Sequence, residues 1–340
     1  MEHFTLHGSR ILVGEEVEKW KAYLPVNRPV FIITEEEVYR HYASRMEGFP
    51  VIRVDGGEKN KGWETVSAIV SRLIELEADR SAFIVGFGGG IVCDLAGFVA
   101  SIYMRGCCFG FVPTTLLAQV DAAIGGKNGI NWEGYKNILG TITPPEFVLC
   151  DPRLLLSLPE REYRAGLAEV VKVAMLADPA LFSYMEAHIS PLMERRSEVL
   201  LHLIRESVRI KVEVVSRDER EAGPRRLLNL GHTFAHVIER RQGLIHGEAV
   251  SIGLCMATRL SRFHGKCSGS LEEKICSLLE KLGLPTRTDI AASCFLQDIR
   301  KDKKREGEHL FLILPLETGG CEMTKMSFSL LEEGINAIAR

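Results

Sequence analysis

The first half of the chain alternates short apolar segments with amphipathic ones, and no other feature of the sequence restricts the fold as strongly. Residues 30–34 (VFIIT) and 83–86 (FIVG) are continuous apolar runs, as expected of strands buried on both faces of a parallel sheet. Residues 51–54 (VIRV) are a third strand candidate. Between this segment and the 83–86 run, residues 65–77 space their apolar side chains as a helix does. Strand, helix and strand in this order predict a right-handed crossover in a parallel sheet.

The second half of the chain has a different pattern. The first half is completed by strand candidates at 109–112 and 147–150 and a helix candidate at 91–103, and the prolines of Pro144-Pro145 and Asp151-Pro152 then interrupt regular structure. Beyond them the strand-like signal is nearly absent until 310–314. Helices are predicted over 160–176, 198–215, 227–240, 247–263 and 271–282. We therefore predict an α/β, Rossmann-like N-terminal domain over residues 1–150 and an all-α C-terminal domain over residues 151–340.

Charge and cysteine content exclude several classes of protein. The net charge of −3 gives no general reason to expect nucleic acid or an anionic membrane as a partner. No run of about 18 apolar residues occurs, and the first residues lack the basic and apolar parts of a signal peptide. Nine cysteines without a Cys-x-x-Cys pair disfavour a disulfide framework or a thiolate zinc finger. The sequence thus predicts a cytoplasmic protein with reduced cysteines.

A glycine-rich segment joins the 83–86 strand to the following helix. Gly88, Gly89 and Gly90 would let the backbone approach a pyrophosphate, and the helix N-terminus would supply free N–H groups. Because the spacing is not a strict Gly-x-Gly-x-x-Gly, a tight turn that needs positive φ explains the glycines as well. The polar segment 56–61 (GGEKNK) follows another strand, and its Glu58 and Lys61 either meet a ribose or form a solvated turn.

Three imidazoles and one carboxylate in the second half are candidate metal ligands. His232 and His236 lie four residues apart on a predicted helix, His246 precedes another helix, and Glu169 lies in an apolar helical stretch. Two imidazoles and one carboxylate with an open position suit a catalytic zinc ion. Each histidine alone is more often structural, and the residues leave open which of His232 and His236 is the ligand. The pattern is not His-Glu-x-x-His, so a metalloprotease is disfavoured.

Cationic and amide side chains are frequent around these motifs. Singly each is expected to be a solvated surface group, but together they could bind a substrate that carries phosphate and carboxylate groups. Residues 121–131 are polar and Gly-rich and are predicted to form a loop. The candidates are Arg105, Lys127, Lys136, Asn137, Lys172, Lys211, Arg225, Asn229, Lys303 and Lys304, with Asp121 beside them.

In order along the chain, these stretches resemble the 3-dehydroquinate synthase family. The motifs are GGEKNK at 56–61, GFGGGIVCDLAGFVASIYMRG at 86–106, VPTTLLAQVDAAIGGKNGIN at 112–131, YKNILG at 135–140, LPEREYRAGLAEVVK at 158–172, RRLLNLGHTFAHVIE at 225–239, HGEAVSIG at 246–253 and DKK at 302–304. The resemblance implies a sugar-phosphate cyclase with a Rossmann-like domain, a helical domain, bound NAD and a divalent zinc or cobalt ion.

The resemblance also implies roles for individual residues. Glu169, His232 and His246 fall on the zinc ligands, His236 falls beside the substrate phosphate, and Arg105 matches an arginine that reaches the neighbouring subunit's site in a homodimer. Asp121, Lys127, Asn137, Lys172, Lys211, Arg225 and Asn229 fall on substrate positions, with one of Lys303 and Lys304 as a last phosphate contact. The implied nucleotide contacts are Glu35, Gly56, Gly57, Glu58, Lys59, Asn60, Lys61, Gly89, Gly90, Ile91, Val92, Cys93, Asp94, Thr114, Thr115, Lys127, Lys136, Leu154, Leu155, Leu156 and Ser157.

The implied reaction turns 3-deoxy-D-arabino-heptulosonate 7-phosphate into 3-dehydroquinate and phosphate through transient oxidation by NAD, elimination, re-reduction and an intramolecular aldol. The sequence departs from the family at Ala122 and Ala123, where serines are usual, at Cys93, where a glycine is common, at Glu35, where an Asp or Asn is frequent, and over residues 128–133. Three alternatives therefore stay open. They are a sister cyclase (aminodehydroquinate, 2-deoxy-scyllo-inosose or epi-valiolone synthase), a metal-dependent polyol dehydrogenase, and a non-catalytic relative.

Overall fold

A computed structural model describes residues 1–299, 305–306 and 309–338. Lys303 and Lys304 lie outside the described residues. The strands are β1 (Glu2–Leu6), β2 (Ser9–Val13), β3 (Val30–Glu35), β4 (Val51–Val54), β5 (Phe83–Gly88), β6 (Cys108–Pro113), β7 (Lys127–Trp132), β8 (Tyr135–Ile142), β9 (Phe147–Cys150), β10 (Arg305–Glu306), β11 (His309–Glu317) and β12 (Gly320–Ser327). The α-helices are α1 (Glu36–Met46), α2 (Trp63–Glu75), α3 (Gly90–Ile102), α4 (Glu160–Ala177), α5 (Pro179–Ala187), α6 (Ile189–Met193), α7 (Ser197–Arg217), α8 (His232–Gln242), α9 (His246–Phe263), α10 (Gly269–Lys281), α11 (Ala292–Ile299) and α12 (Phe328–Ile338).

The chain forms two compact units. The first, here called the sheet unit, comprises Met1–Pro159 and Leu200–Arg220. The second, called the helical unit, comprises Glu160–Val199 and the described part of Glu221–Arg340. The predicted fold class, an α/β first part followed by a helical second part, is confirmed, although the second part was predicted to be all-α and contains the strands β10, β11 and β12. Among the described residues, no helix combines the length and the apolar character that crossing a bilayer requires.

The sheet unit is built on seven strands in the order β1-β2-β9-β6-β5-β3-β4. Only the β1–β2 pair of this sheet is antiparallel, and the five strands predicted from sequence form its parallel part together with β2. Every residue of β5 and β9 is buried, which explains their continuous apolar sequences, because helices cover both faces of a parallel sheet. The pair β1 and β2 was not predicted, since β1 is mostly polar and exposed and the apolar run of β2 is only three residues long.

The strand order reverses between β3 and β5, and a ligand crevice is expected at such a point of an open α/β sheet. The carboxylate of Glu35 ends β3 there. A methyl group at Gly56, just after β4, would lie 2.8 Å from Glu35 Oε2, and one at Gly89, just after β5, would lie 3.6 Å from Glu35 Oε1. The ends of three parallel strands thus meet around one carboxylate.

The glycines after β5 serve close packing rather than left-handed backbone. Gly88, Gly89 and Gly90 are absent from the positive-φ glycines of the described chain. A methyl group at Gly88 would lie 2.7 Å from the Val92 side chain, and one at Gly89 would lie 3.0 Å from Thr115. The turn therefore needs glycine so that α3 can begin directly against the strand ends.

Residues 121–131 do not form the predicted loop. The structure has a π-helical turn over Ala118–Ala122 and the strand β7 from Lys127, which pairs with β8 in a hairpin. Glu133 and Gly134 both have positive φ at its tip, the geometry that joins antiparallel strands most tightly. Asn128 fixes the base, since its amide donates to Gly126 O at 3.1 Å and Thr143 O at 3.0 Å. These tertiary contacts outweigh a composition that is typical of loops.

In the helical unit, α9 is the central element and is buried along most of its length. The predicted helix 227–240 is interrupted, because Gly231 adopts φ +77° and separates a 3-10 turn (Pro224–Asn229) from α8. A methyl group at Gly247 would lie 2.0 Å from Ala165 O, so only glycine lets α9 begin this close to α4. The unit also has a small antiparallel sheet, β10-β11-β12, of which sequence indicated only the centre of β11.

Candidate functional site

Three polar side chains of the helical unit converge on one point. Glu169 lies in α4, His232 is the first residue of α8, and His246 is the first residue of α9. His246 Nε2 lies 3.3 Å and His232 Nε2 lies 3.7 Å from Glu169 Oε1. One possible ligand atom from each residue lies within 4.8 Å of the others. Two close helix contacts, at Gly247 against Ala165 and at Gly253 against Gly231, bring the starts of α8 and α9 to α4.

The donor set fits a divalent cation of the zinc type. Ligand atoms about 2.0–2.2 Å from a tetrahedral zinc ion are about 3.3–3.5 Å apart, close to the two distances measured here. Glu169 is fully buried and neither of its oxygens accepts a hydrogen bond of ordinary geometry, although Lys172 Nζ and His246 Nε2 lie in ion-pair range. A buried carboxylate needs compensating positive charge, which Lys172 supplies on one side and a metal ion between Glu169 and the two imidazoles would supply on the other. The side chains of His232 and His246 are 12% and 33% exposed, which leaves access for a further ligand.

The groups around the cluster determine which atoms are available. His232 Nδ1 lies 3.1 Å from Leu230 O and donates to it, so Nε2 is left with its lone pair. Burial and the charge of Lys172 lower the pKa of His232 to about 4, which keeps the ring neutral. Burial alone would raise the pKa of Glu169, but the charge of Lys172 and the contact with His246 hold it well below its usual range.

His246 is held differently. Its Nδ1 lies 2.7 Å from Glu239 Oε1, an arrangement in which a carboxylate orients a metal-binding imidazole. Burial alone would lower the pKa of His246, yet contacts with Glu169 and Glu239 raise it to about 10. A cation at the cluster competes with this proton, because a ligating imidazole must be neutral. Sequence analysis missed Glu239, although a buried acid on the apolar face of α8 was the available signal.

His236 and the other candidates of the helical unit surround this cluster without belonging to it. His236 lies one turn further along α8, with its ring centroid 5.8 Å from that of His232. Lys172 is buried and pairs with Glu169. Arg225 is buried in the 3-10 turn before α8, where the amide of Asn229 donates to Glu221 and to Arg226 O.

The sheet unit brings a second group of candidates together. Lys61, buried after the 58–60 turn, pairs with Asp94 of α3 and donates to Asn137 Oδ1 at 2.6 Å. Lys136 Nζ lies 3.8 Å from Glu58 Oε1, which joins the hairpin to the same turn. The Asn60 amide donates to Gly56 O at 2.7 Å and shapes the turn itself, while Gly57 and Lys59 are exposed. Burial raises the pKa of Asp94, and Lys61 opposes that shift.

The other candidates of this unit differ in how far their side chains are exposed to solvent. Val92, Cys93 and Thr114 are buried, whereas Gly90, Ile91 and Thr115 are partly open. Lys211 of α7 pairs with Asp121 and also donates to the Asp121 carbonyl at 2.5 Å. Leu154 and Leu155 are buried in the core, and Leu156 and Ser157 are exposed. Lys127 at the start of β7 is exposed, as is Arg105, which has φ +69° after α3.

Known proteins match this chain over most of its length. Family models described as 3-dehydroquinate synthase N-terminal and 3-dehydroquinate synthase C-terminal match residues 51–165 and 166–305. The 3-dehydroquinate synthase of Halorhodospira halophila is 44% identical over 301 residues, which is 86% of this chain and 85% of that protein. The chain belongs to the 3-dehydroquinate synthase family. The predicted family and enzyme class are thus confirmed.

Solved structures with the 3-dehydroquinate synthase-like fold agree over the whole chain. The 2-epi-5-epi-valiolone synthase ValA of Streptomyces hygroscopicus, solved with NAD⁺ and Zn²⁺ bound, superposes with a TM-score of 0.88 at 26% identity, over 100% of this chain and 98% of its own. A 2-deoxy-scyllo-inosose synthase in complex with carbaglucose-6-phosphate, NAD⁺ and Co²⁺ gives 0.87 at 25% identity, over 99% and 100%. The 3-dehydroquinate synthases are therefore closer to this chain in sequence than these sister cyclases are.

Proposed function

We propose that this protein converts 3-deoxy-D-arabino-heptulosonate 7-phosphate into 3-dehydroquinate and inorganic phosphate, with NAD and a zinc or cobalt ion as cofactors. The observation that supports this most is the convergence of Glu169, His232 and His246, which are far apart in sequence, in a chain of the 3-dehydroquinate synthase family. Cytoplasmic location and the division at residue 150 into a nucleotide-binding and a metal- and substrate-binding part remain predictions.

Glu169, His232 and His246 would hold the metal ion. A bound ion would supply polarisation of substrate hydroxyl groups, and bound NAD would supply reversible hydride transfer. Lys172, which forms an ion pair with Glu169, is proposed to hold a substrate hydroxyl group and to move a proton. His236, one turn beyond His232, is proposed as a phosphate contact. This supports a site in which the same short helix carries a metal ligand and a phosphate donor.

Other cationic and amide groups would bind the two anionic ends of the substrate. Lys127, Asn137, Asn229 and Arg105 of the neighbouring copy are proposed for the phosphate, and Lys211 and Arg225 for the carboxylate. Asp121 would orient a hydroxyl group. Because the amide oxygen of Asn137 already accepts from Lys61, its NH₂ group is the part available to a phosphate oxygen.

The nucleotide would lie at the carboxyl ends of β3, β4 and β5. Glu35 is at the switch point with the Gly56 and Gly89 turns around it, a position where a carboxylate can accept from ribose hydroxyl groups. The free N–H groups at the start of α3 would meet the pyrophosphate. The remaining contacts proposed are those that the family resemblance implies, including Glu58, Lys61 and Asp94.

A homodimer is supported by an exposed apolar surface on the sheet unit. The strand β8 exposes nearly all its residues, among them Tyr135, Ile138, Leu139 and Ile142. Thr141 of this strand lies 3.0 Å from Ser101 of α3, next to exposed Ile102 and Met104. A patch of this kind on a soluble enzyme is typical of an interface, and a second copy would place Arg105 beside a neighbour.

One assay tests the proposal. Purified protein is incubated with the heptulosonate phosphate, NAD⁺ and Zn²⁺, and released phosphate, 3-dehydroquinate and NADH are measured. Stoichiometric phosphate and dehydroquinate without accumulated NADH are expected. Net NADH from a simple polyol would instead indicate a dehydrogenase, and turnover of the heptulosonate phosphate to another carbocycle would indicate a sister cyclase.

Glu169→Ala and His246→Ala are expected to lose both bound metal and turnover, and full activity of metal-stripped His246→Ala would contradict the site.

A further inference from the structure

The hairpin that carries Lys127, Lys136 and Asn137 contains a residue to which no role has yet been given. Pairing between β7 and β8 is regular up to Ile130–Leu139 and resumes at Trp132–Tyr135. One residue of β7, Asn131, therefore faces three residues of β8, and two of these are Lys136 and Asn137. Such a bulge removes backbone partners from the ladder and redirects side chains.

The Asn131 side chain accepts a hydrogen bond from the backbone of this bulge. Its Oδ1 accepts from the Asn137 N–H at 3.0 Å, and Asn137 has φ +51°, a left-handed conformation that is uncommon outside glycine. The bond supplies a partner to a backbone donor at the place where the regular ladder of β7 and β8 is interrupted. The conformation of Asn137 thus depends on the Asn131 side chain.

The same side chain holds the turn that precedes α2. Asn131 Nδ2 donates to Glu58 Oε1 at 2.9 Å and to Glu58 O at 3.3 Å. The Asn131 backbone N–H donates to Lys61 O at 2.8 Å, and Asn131 forms an isolated bridge with Gly62. Lys61 in turn donates to Asn137 Oδ1, which closes a ring of contacts through Asn131, the 58–61 turn and Asn137.

We propose that Asn131 is a positioning residue that fixes the phosphate-binding Asn137 in register with the nucleotide-binding turn at Glu58. This inference rests on the proposed function for the roles of Asn137 and Glu58. Its two arms are chemically distinct, because Oδ1 serves Asn137 and Nδ2 serves Glu58. The contact with Glu58 can therefore be removed while the contact with Asn137 is kept.

Two variants of Asn131 test the two arms. Asn131→Ala removes both, and the loss of three side-chain hydrogen bonds, one of them to a charged group, is expected to raise the KM for the heptulosonate phosphate and the Kd for NAD⁺ each about tenfold. The kcat is expected to change less than about threefold, because no reacting atom is touched. Asn131→Asp keeps an acceptor for Asn137 but places a carboxylate against Glu58, so its Kd for NAD⁺ is expected to rise while its KM stays near the wild-type value.

A double-mutant cycle separates positioning from a general loss of packing. In an Asn137→Ala background, Asn131→Ala is expected to add no further increase in KM, since the residue through which it acts is gone. Glu133→Gln, exposed at the tip of the same hairpin, is the matched control and is expected to match wild type. An additive increase in KM, an unchanged Asn131→Ala protein, or equal effects of Asn131→Asp on both constants would overturn the inference.

Failure of the proposed function is distinguishable from failure of this inference. If wild-type protein releases no phosphate from the substrate, the reaction assignment fails. The Kd for NAD⁺, measured by tryptophan fluorescence, still tests the contact between Asn131 and Glu58 in every variant. If Asn131→Ala does not fold, the isosteric Asn131→Asp carries that measurement, and an unchanged Kd in it overturns the claim.

Discussion

Each imidazole of the candidate metal site has one ring nitrogen already engaged by the protein. His232 donates from Nδ1 to a backbone carbonyl, whereas His246 faces the carboxylate of Glu239. A carbonyl fixes only the tautomer, but a carboxylate also makes the ring a stronger electron donor. The two ligands are therefore not equivalent, and His246 depends on a charge that lies outside the cluster.

This difference predicts the effect of Glu239→Gln. The variant keeps an acceptor for His246 but removes the negative charge, so zinc affinity is expected to fall about 10- to 100-fold while the fold is retained. Competition with a chelator of known affinity measures the change. The matched control is Glu273→Gln, an exposed carboxylate on α10, which should bind zinc as wild type does. Equal affinities for wild type and Glu239→Gln would show that the second carboxylate has no part in metal binding.

A second residue-scale prediction concerns pH and Glu15. This buried carboxylate accepts from the Tyr23 hydroxyl at 2.6 Å and from Lys19 at 3.2 Å, and these bonds lower its pKa. A depressed pKa contributes stability that is complete above the unfolded value, about 4.3, and is lost as pH falls through the folded value. Urea midpoints of wild type and Glu15→Gln should therefore differ most at pH 7 and converge near pH 3.

Exposed Glu16→Gln is the control for that comparison. Glu16 lies 3.6 Å from Lys19 with over half of its side chain exposed, and a surface pair of this kind contributes little. Its midpoint should follow that of wild type at both pH values. A gap between wild type and Glu15→Gln that persists unchanged at pH 3 would refute the linkage.

At the scale of elements, close helix contacts determine where the ligands meet. Gly247 is the second residue of α9, and a methyl group there would lie 2.0 Å from the Ala165 carbonyl of α4, four residues before Glu169. Gly247→Ala must push the two helix starts apart. We expect a loss of about 1–3 kcal/mol in stability and weaker zinc binding, because His246 moves with the helix.

The control for this change is Gly269→Ala. Gly269 begins α10, and a methyl group there would meet Arg262 at an ordinary 3.7 Å. Alanine has a higher helix propensity than glycine, so this variant should match wild type or be slightly more stable. Thermal melting and metal content are measured for both proteins. Normal zinc content in a folded Gly247→Ala protein would show that the α4–α9 contact does not position the site.

Elements that bury both faces could be predicted from sequence, and those that depend on tertiary contacts could not. The apolar runs of β3, β5 and β9 specify strands by themselves. The hairpin of β7 and β8 looks like a loop, because its strands carry polar and exposed side chains and are fixed by Asn128, Asn131 and a two-residue turn. Helical periodicity likewise continues through Gly231, where the backbone breaks.

At the scale of the whole molecule, residue spacing predicts the kinds of ligand in a metal site better than it predicts which residues supply them. Two histidines four residues apart are equivalent by spacing. The family resemblance selects His232, and the structure shows that His232, the first residue of α8, faces Glu169 while His236 lies a turn beyond. Glu239 and Asn131 were missed, because a supporting residue is recognised by what it contacts. Contacts of this kind arise only in the folded chain.

The proposed dimer makes a prediction about shared sites. If Arg105 serves the neighbouring copy, Arg105→Ala and His246→Ala homodimers should both be nearly inactive, for different reasons. A mixed dimer of these two variants, purified through two different tags, contains one complete site, in the Arg105→Ala chain, which keeps His246 and receives Arg105 from its partner. About half of the wild-type activity is expected per dimer.

In the decisive control, one chain of the dimer carries both substitutions and the other chain carries none. A mixed dimer of wild type with the Arg105→Ala, His246→Ala double variant has the same composition as the previous one. Here, however, the wild-type chain receives no Arg105 from its partner, and the double variant has lost a metal ligand, so neither site is complete. Phosphate release should therefore be near zero in this dimer and about half of wild type in the other. If each chain instead completes its own site, the order reverses, because the wild-type chain alone would work and the two separate variants would both fail.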